Sequence, residues 1–312
     1  MARKKKGDPV NGWLVIDKPE GMTSTQVVGK ARWLINAQKA GHGGTLDPFA
    51  TGILPIAFGE ATKTVGYAMD GEKRYRFTIR WGQATTTDDR EGTVIAETDQ
   101  RPSPAEVTAA LPAFIGRIDQ TPPQFSAIKV AGERAYDIAR EGERVDLHPR
   151  TVEVYDFMLT DWVDRDHAVF EVTCGKGTYM RALARDLGRR LGCYGHLATL
   201  RRLSVGPFTL DDAVTLDHIE AVTEVSRRSD LLLPVETPLD DIPAVALSDD
   251  QAQRLKQGQT VALLKRSDRA HFPRLDLESD GGATVLAMAD DRPVAIARLD
   301  GPDLKPVRVL NL

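Results

Sequence analysis

Arg74-Tyr75-Arg76-Phe77-Thr78-Ile79-Arg80-Trp81 alternates strictly between polar and apolar side chains. Alternation with a period of two marks a β-strand with one face buried and one face wet. Tyr75, Phe77, Ile79 and Trp81 are therefore predicted to line a core. Two further strands read the same way. Trp13–Asp17 is stopped by Lys18-Pro19 and Gly21, and Phe170, Val172 and Cys174 alternate ahead of Gly175-Lys176-Gly177. Between them lie helical patterns. One starts at Thr23 or Ser24 and carries Val27, Val28, Ala31 and Leu34 on one face. A second is announced by Ser103-Pro104-Ala105-Glu106, a cap, a proline in the first turn and a capping acid, with Val107, Leu111 and Phe114 as its stripe. A third carries Leu183, Leu187 and Leu191. Strands split by helices and hairpin-like turns predict an α+β fold built on a mixed or antiparallel sheet.

The periodic pattern breaks at Val235–Pro243, where two prolines meet an acidic cluster. The expected division is a first unit over residues 1–240 and a second over 241–312. The second opens with a capping box, Ser248 and Gln251, before a helix ending near Gly258. Val261–Leu264, Val285–Met288 and Val294–Ala297 follow as short strands, which makes this unit small and mostly β.

The chain has 312 residues, 41% hydrophobic and 28% charged, the composition of a folded chain long enough to bury a core without disulfides. Two cysteines, Cys174 and Cys193, exclude a disulfide framework, and metal-type Cys/His spacing is missing. No apolar run spans a membrane, and the basic start Arg3-Lys4-Lys5-Lys6 lacks the apolar stretch of a signal peptide, so the expected location is the cytoplasm. The net charge of −4 is unevenly spread. Residues 1–50 carry +4 (eight basic, four acidic) and residues 201–250 carry −7 (four basic, eleven acidic). A nucleic-acid surface would have to be a local basic face.

The most unusual segment is Gly41-His42-Gly43-Gly44-Thr45-Leu46-Asp47-Pro48, continuing to Pro55. Its glycines allow close approach by a backbone or a ligand, and Pro48 restricts Asp47 to extended conformations. The segment reads as an irregular loop that presents one fixed carboxylate. Gly175-Lys176-Gly177-Thr178 is not a phosphate loop, because Gly177 follows the lysine where Ser or Thr is required. Nucleophile-elbow, zinc-protease and dinucleotide motifs are absent, so the residues imply no cofactor and no metal.

Taken together, the motifs resemble those of the bacterial tRNA pseudouridine synthase B family. They are Asp17-Lys18-Pro19 with Gly21-Met22-Thr23-Ser24, Gly41–Pro55, Gly59-Glu60-Ala61-Thr62-Lys63 and Lys73-Arg74-Tyr75. Gln120–Lys129, Lys176-Gly177-Thr178-Tyr179-Met180-Arg181 and Leu200-Arg201-Arg202-Leu203 complete the set, in the family's order. Gly43 and Phe49 depart from the usual Thr and Leu. The resemblance implies a pseudouridine synthase core with a PUA-like RNA-binding domain at the C-terminus. The implied reaction makes pseudouridine at position 55 in the T loop of tRNA, by base flipping, without cofactor or metal.

The resemblance also implies roles for single residues. Asp47 is the nucleophile, acting at C1′, at C6 or through a glycal. Arg181 pairs with it. Tyr75 stacks on the target base. Tyr179 lies near the departing proton. Leu200 meets the uracil edge through its backbone, and His42 fills the space of the flipped base. An ordinary aspartate would be ionised at neutral pH. Lys18, Lys63, Arg74, Arg201, Arg202 and the Arg3–Lys6 arm are candidate phosphate contacts. Residues 124–151 resemble the family's RNA-clamping thumb. The expected partner is the tRNA T stem-loop, bound by a monomer with no obligatory protein partner and no membrane. The rival reading is a non-catalytic tRNA-folding protein that uses the same pocket.

Overall fold

The alternating segment is the central strand of an eight-stranded mixed sheet. The structure, a computed structural model, describes residues 7–125, 129–130, 133–134, 146–224, 228–263 and 282–312. In chain order the strands are β1 (Gly12–Lys18), β2 (Ala40–His42), β3 (Thr51–Phe58) and β4 (Lys73–Trp81). A small hairpin of β5 (Gln83–Thr85) and β6 (Val94–Glu97) follows, then β7 (Gly116–Gln120) and a second hairpin, β8 (Lys129–Val130) with β9 (Glu133–Arg134). The long strands β10 (Arg150–Trp162), β11 (His167–Cys174) and β12 (Gly195–Val205) complete the unit. The sheet order is β1-β3-β12-β4-β11-β10-β7, with β2 on β3, and only β12 and β3 run parallel. The helices are α1 (Ser24–Leu34), α2 (Val65–Asp70), α3 (Pro104–Ala110), α4 (Met180–Arg190), α5 (Leu216–Ala221) and α6 (Asp249–Lys256). None of the described helices is long and apolar enough to cross a membrane.

Alternation in β4 works as expected. Tyr75, Phe77, Ile79 and Trp81 point into a core shared with Phe157, Phe170 and the α4 leucines Leu183 and Leu187. Each fully buried Phe or Leu contributes roughly 1.5–3 kcal/mol. On the opposite side of the strand, Arg74, Arg76 and Arg80 are exposed. Helix α1 is capped by Thr23 and Gln26 and packs Val27, Ala31 and Leu34 against Leu14, Ile16, Leu54 and Ile56.

Two expectations are corrected. Gly41–Pro55 is a loop only between its ends, because His42 closes β2 and Thr51–Phe58 is a strand. Pro55 is tolerated there because its carbonyl faces away from β1 and accepts from Gly43 N at 2.8 Å. A strand residue's N–H points the same way as its carbonyl, so the missing donor falls in the gap between β12 and β2. Helix α3 stops at Ala110, and Leu111–Phe114 continues as a 3-10 turn containing Pro112, which has no N–H to extend the α-helical ladder.

A second, five-stranded sheet carries the C-terminal residues. It comprises β13 (Ala244–Ala246), β14 (Val261–Ala262), β15 (Ala283–Ala289), β16 (Arg292–Asp300) and β17 (Asp303–Val309) in the order β13-β15-β16-β17-β14, with its own apolar cluster against α6. The chain end returns to the first sheet: Leu310 is buried beside Trp13 and Phe208, and Lys63 Nζ donates to Val309 O at 2.7 Å.

The parallel contact between β3 and β12 requires Gly52. Its φ is +96°, and a Cβ there would stand 2.2 Å from Arg202 O and 2.8 Å from Arg202 N. Gly52→Ala is expected to cost about 3 kcal/mol, on the order of 10 °C in Tm. Gly66→Ala, in α2 with open space around it, should be neutral or gain up to about 1 kcal/mol. Thermal melts of the two variants check this.

Candidate active site

The loop between β2 and β3 is pinned from three elements. Ser24 at the start of α1 receives Leu46 N at 2.9 Å and donates to Leu46 O at 3.0 Å. Lys18 at the end of β1 is fully buried and donates to Pro19 O, Pro48 O and Ala50 O at 2.8, 3.0 and 2.7 Å. Arg202 on β12, also buried, donates to Ile53 O at 2.7 Å and Gly44 O at 3.1 Å. Leu46, Phe49 and Ala50 sink into the main core. The Arg90 guanidinium lies 5.6 Å from the Phe49 ring centroid and pairs with Glu20. Almost every loop residue is thus held down, while the Asp47 side chain stays about one-third (32%) exposed.

Arg181, in the first turn of α4, meets that carboxylate at two points. Its Nε lies 3.1 Å from Asp47 Oδ2, and its Nη2 donates to Oδ1 at 3.2 Å. Such a fork fixes both the position and the plane of a carboxylate. The remaining donors reach Thr87 O (3.3 Å), Asp89 Oδ2 (3.6 Å) and Phe125 O (2.9 Å). The guanidinium is thus hydrogen-bonded to Thr87 O, Asp47 Oδ1 and Phe125 O, with Asp47 Oδ2 and Asp89 Oδ2 within ion-pair distance. Asp89 is buried and is itself held by Thr87 Oγ1 at 2.5 Å and Glu91 N at 3.0 Å.

The electrostatics differ from the ordinary aspartate expected from sequence. Burial pushes the Asp47 pKa up, the Arg181 charge pulls it down, Asp89 raises it and Lys18 lowers it, and the net direction is upward. Burial lowers Lys18 to about 8, opposed first by Asp47. Tyr75 is raised by burial, with the Arg202 charge and a hydrogen bond from Arg202 opposing the shift.

Asp47, Arg181 and Tyr75 lie together in the structure: Tyr75 faces inward from β4 within the field of the Asp47 charge. Tyr179 occupies the N-cap position of α4, where its N donates to Gln120 Oε1 at 2.7 Å and its carbonyl accepts from Gln120 Nε2 at 3.1 Å. Leu200 on β12 is buried opposite Phe77. His42 ends β2, with its Nδ1 buried and unpartnered among the described residues. Its pKa is lowered by burial and then by Arg202.

The phosphate candidates need correction. Lys18 and Arg202 cannot meet a phosphate, because both are buried and committed to loop carbonyls. Lys63 donates to Glu60 Oε2 and Val309 O. Arg74 pairs with Glu171 at 2.7 Å and Arg201 with Asp17 at 2.7 Å, and both lie on the sheet face away from Tyr75. Arg3–Lys6 and most of 124–151 lie outside the described residues. Asp89 was missed in the sequence. The signal available was Thr85-Thr86-Thr87-Asp88-Asp89-Arg90-Glu91-Gly92, a dense polar turn just after the clearest strand.

Comparison with known proteins adds to this geometry. A family model described as TruB family pseudouridylate synthase (N terminal domain) matches residues 32–180, and one described as tRNA pseudouridylate synthase B C-terminal domain matches residues 181–240. The tRNA pseudouridine synthase B of Caulobacter vibrioides is 53% identical over 312 residues, covering 100% of both chains. That of Gluconacetobacter diazotrophicus is 54% identical over 309 residues, covering 99% of this chain and 100% of its own. A chain solved in "Structure of H/ACA RNP bound to a substrate RNA containing 2'-deoxyuridine" shares the fold. It has a TM-score of 0.69 at 22% identity, covering 100% of this chain and 92% of that one.

The carboxylate of Asp47 should titrate above the usual aspartate range. Its ionised form is then lost at a higher pH as the solution is acidified. In Arg181→Gln the opposing charge is gone, so the titration should move higher still. Carbon-detected NMR of the Asp47 carboxyl in both proteins measures this.

Proposed function

This chain belongs to the TruB family of pseudouridylate synthases, and on that premise we propose that it isomerises uridine to pseudouridine at position 55 in the T loop of tRNA. The observation that carries the proposal is the two-point grip of Arg181 on a carboxylate open from one side and bordered by Tyr75. The reaction breaks the C1′–N1 bond, turns the uracil and joins C1′ to C5; the C5 proton leaves to solvent and N1 takes one up. The product is an isomer of the substrate, so no redox partner takes part.

Asp47 supplies the ionised oxygen that the rearrangement requires. Attack at C1′, attack at C6 and proton abstraction to a glycal all use it in that form. Arg181 keeps it ionised against the desolvation of its surroundings and aims it. Tyr75 stacks against the base, and the Arg202 charge nearby favours its ionised form against burial. Tyr179 lies at the departing proton, Leu200 meets the uracil edge through its backbone, and His42 fills the space that the flipped base leaves. Flipping costs a few kcal/mol, which stacking and edge contacts offset. Lys18 serves the site by holding the loop and not by touching RNA.

The remaining parts of the proposal concern organisation. Residues 1–240 form the catalytic unit and 241–312 a PUA-like RNA-binding unit, and 124–151 close on the RNA. The chain acts in the cytoplasm as a monomer without an obligatory protein partner.

A T-arm stem-loop carrying tritium at C5 of its uridines tests the reading. Wild type should release tritium to water and Asp47→Asn should release none, with RNA affinities within about threefold of each other. Release by the variant at the wild-type rate would overturn the role of Asp47. No release from folded wild type bound to the RNA would favour the RNA-folding reading.

A further inference from the structure

Helix α4 carries a second arginine one turn beyond Arg181. Residues four apart share a helix face, and Arg185 reaches the same two stretches that Arg181 reaches. In residues 86–92, Arg181 meets Thr87 O and Asp89, while Arg185 Nη1 meets Asp88 Oδ2 at 2.9 Å. In residues 121–125, Arg181 meets Phe125 O, while Arg185 Nη2 meets Thr121 O at 2.8 Å. The two arginines form two rungs between one helix and two irregular stretches. Asp186 fixes Arg185 from the side, with contacts of 2.8 and 3.0 Å to Nε and Nη2.

Both stretches depend on such outside anchors. Residues 121–125 include Pro122 and Pro123, which offer no backbone donors. Asp88 has φ +60°, a conformation that costs a non-glycine residue on the order of 1 kcal/mol and persists only where its surroundings enforce it. Its carbonyl accepts from Leu197 N at 3.0 Å, and Arg185 holds its carboxylate. Asp88 stands directly between Thr87 and Asp89, the two residues of this stretch that Arg181 touches.

We propose that Arg185 is a positioning residue for the reaction: by holding Asp88 and Thr121 it keeps Thr87, Asp89 and Phe125 where they orient Arg181, and so keeps Asp47 paired at both oxygens. The proposal rests on the reading of Asp47 as the catalytic carboxylate. The charged and titratable groups facing Asp47 are Arg181 from α4, Asp89 and Glu91 from residues 86–92, Lys18 from β1 and Tyr75 from β4. Arg185 itself faces Asp88, Asp186 and Thr121 O, so it acts on Asp47 only through the placement of Arg181.

The test measures single-turnover tritium release from the T-arm stem-loop by the full chain, across pH, in wild type, Arg185→Gln, Asp88→Asn and the double variant. Misplacing a reacting group by about 1 Å costs on the order of 100-fold, and a partial loosening should cost about tenfold. The expected result is a rate at saturating RNA about tenfold below wild type, with RNA affinity within about threefold. The acid limb of the profile should shift to higher pH, because a carboxylate less firmly paired protonates more readily. The double variant should lose little more than either single one. If Arg185→Gln does not fold, Asp88→Asn removes the same ion pair without touching α4, and its rate and acid limb decide. A folded variant with an unmoved rate or an unmoved acid limb overturns the proposal while leaving Asp47 in its role. Absence of release from wild type overturns both.

Discussion

One guanidinium organises the active centre. Arg181 hydrogen-bonds Asp47 Oδ1 and the carbonyls of Thr87 and Phe125, and lies within ion-pair distance of Asp47 Oδ2 and Asp89 Oδ2. Burial pushes the carboxylate toward its neutral form, and the Arg181 charge opposes that shift in part. Because its fork is rigid, the arginine also sets the plane of the carboxylate. Asp47 remains reachable from one side while Arg181 is nearly enclosed, so the cation acts as scaffold and the anion is the exposed partner.

The rest of the architecture holds the two partners at the right separation. Asp47 stands on a loop between β2 and β3, and Arg181 stands on α4, 134 residues later. The loop reaches its place through buried Lys18 and Arg202, whose N–H groups satisfy carbonyls that an irregular segment would leave unpaired. Burying two charges is costly in itself. Each is shared among several carbonyls, and Lys18 also lies within the field of Asp47. The parallel contact of β3 with β12, made possible by Gly52, brings Arg202 beneath the loop and Tyr75 beside it.

Legibility in the sequence followed the simplicity of the local physics. The β4 strand was readable because one of its faces is core and the other is wet. The capping boxes at Ser103 and Ser248 were readable because their chemistry is local. Thr51–Phe58 was not readable, since Gly52 and Pro55 punctuate it and only the tertiary neighbours make them acceptable. The long strand β10 is interrupted by register shifts that break its alternation. Lys18 and Arg202 resembled surface cations because nothing in their sequence neighbourhood reports the carbonyls that enclose them. Asp89 and Arg185 were invisible for the same reason, as their partners are distant in the chain. Motif resemblance supplied Asp47 and Arg181, and the structure supplied the shell around them.

The central claim is that the geometry of the Arg181–Asp47 pair, beyond the presence of a positive charge, enables the chemistry. The most direct measurement is the single-turnover rate of pseudouridine formation by Arg181→Lys, alongside its affinity for the same stem-loop RNA. A lysine keeps the charge but loses the two-point grip and the reach to Thr87, Asp89 and Phe125. The account predicts a rate on the order of 100-fold below wild type with affinity within about threefold. A lysine variant that forms pseudouridine at nearly the wild-type rate would contradict it.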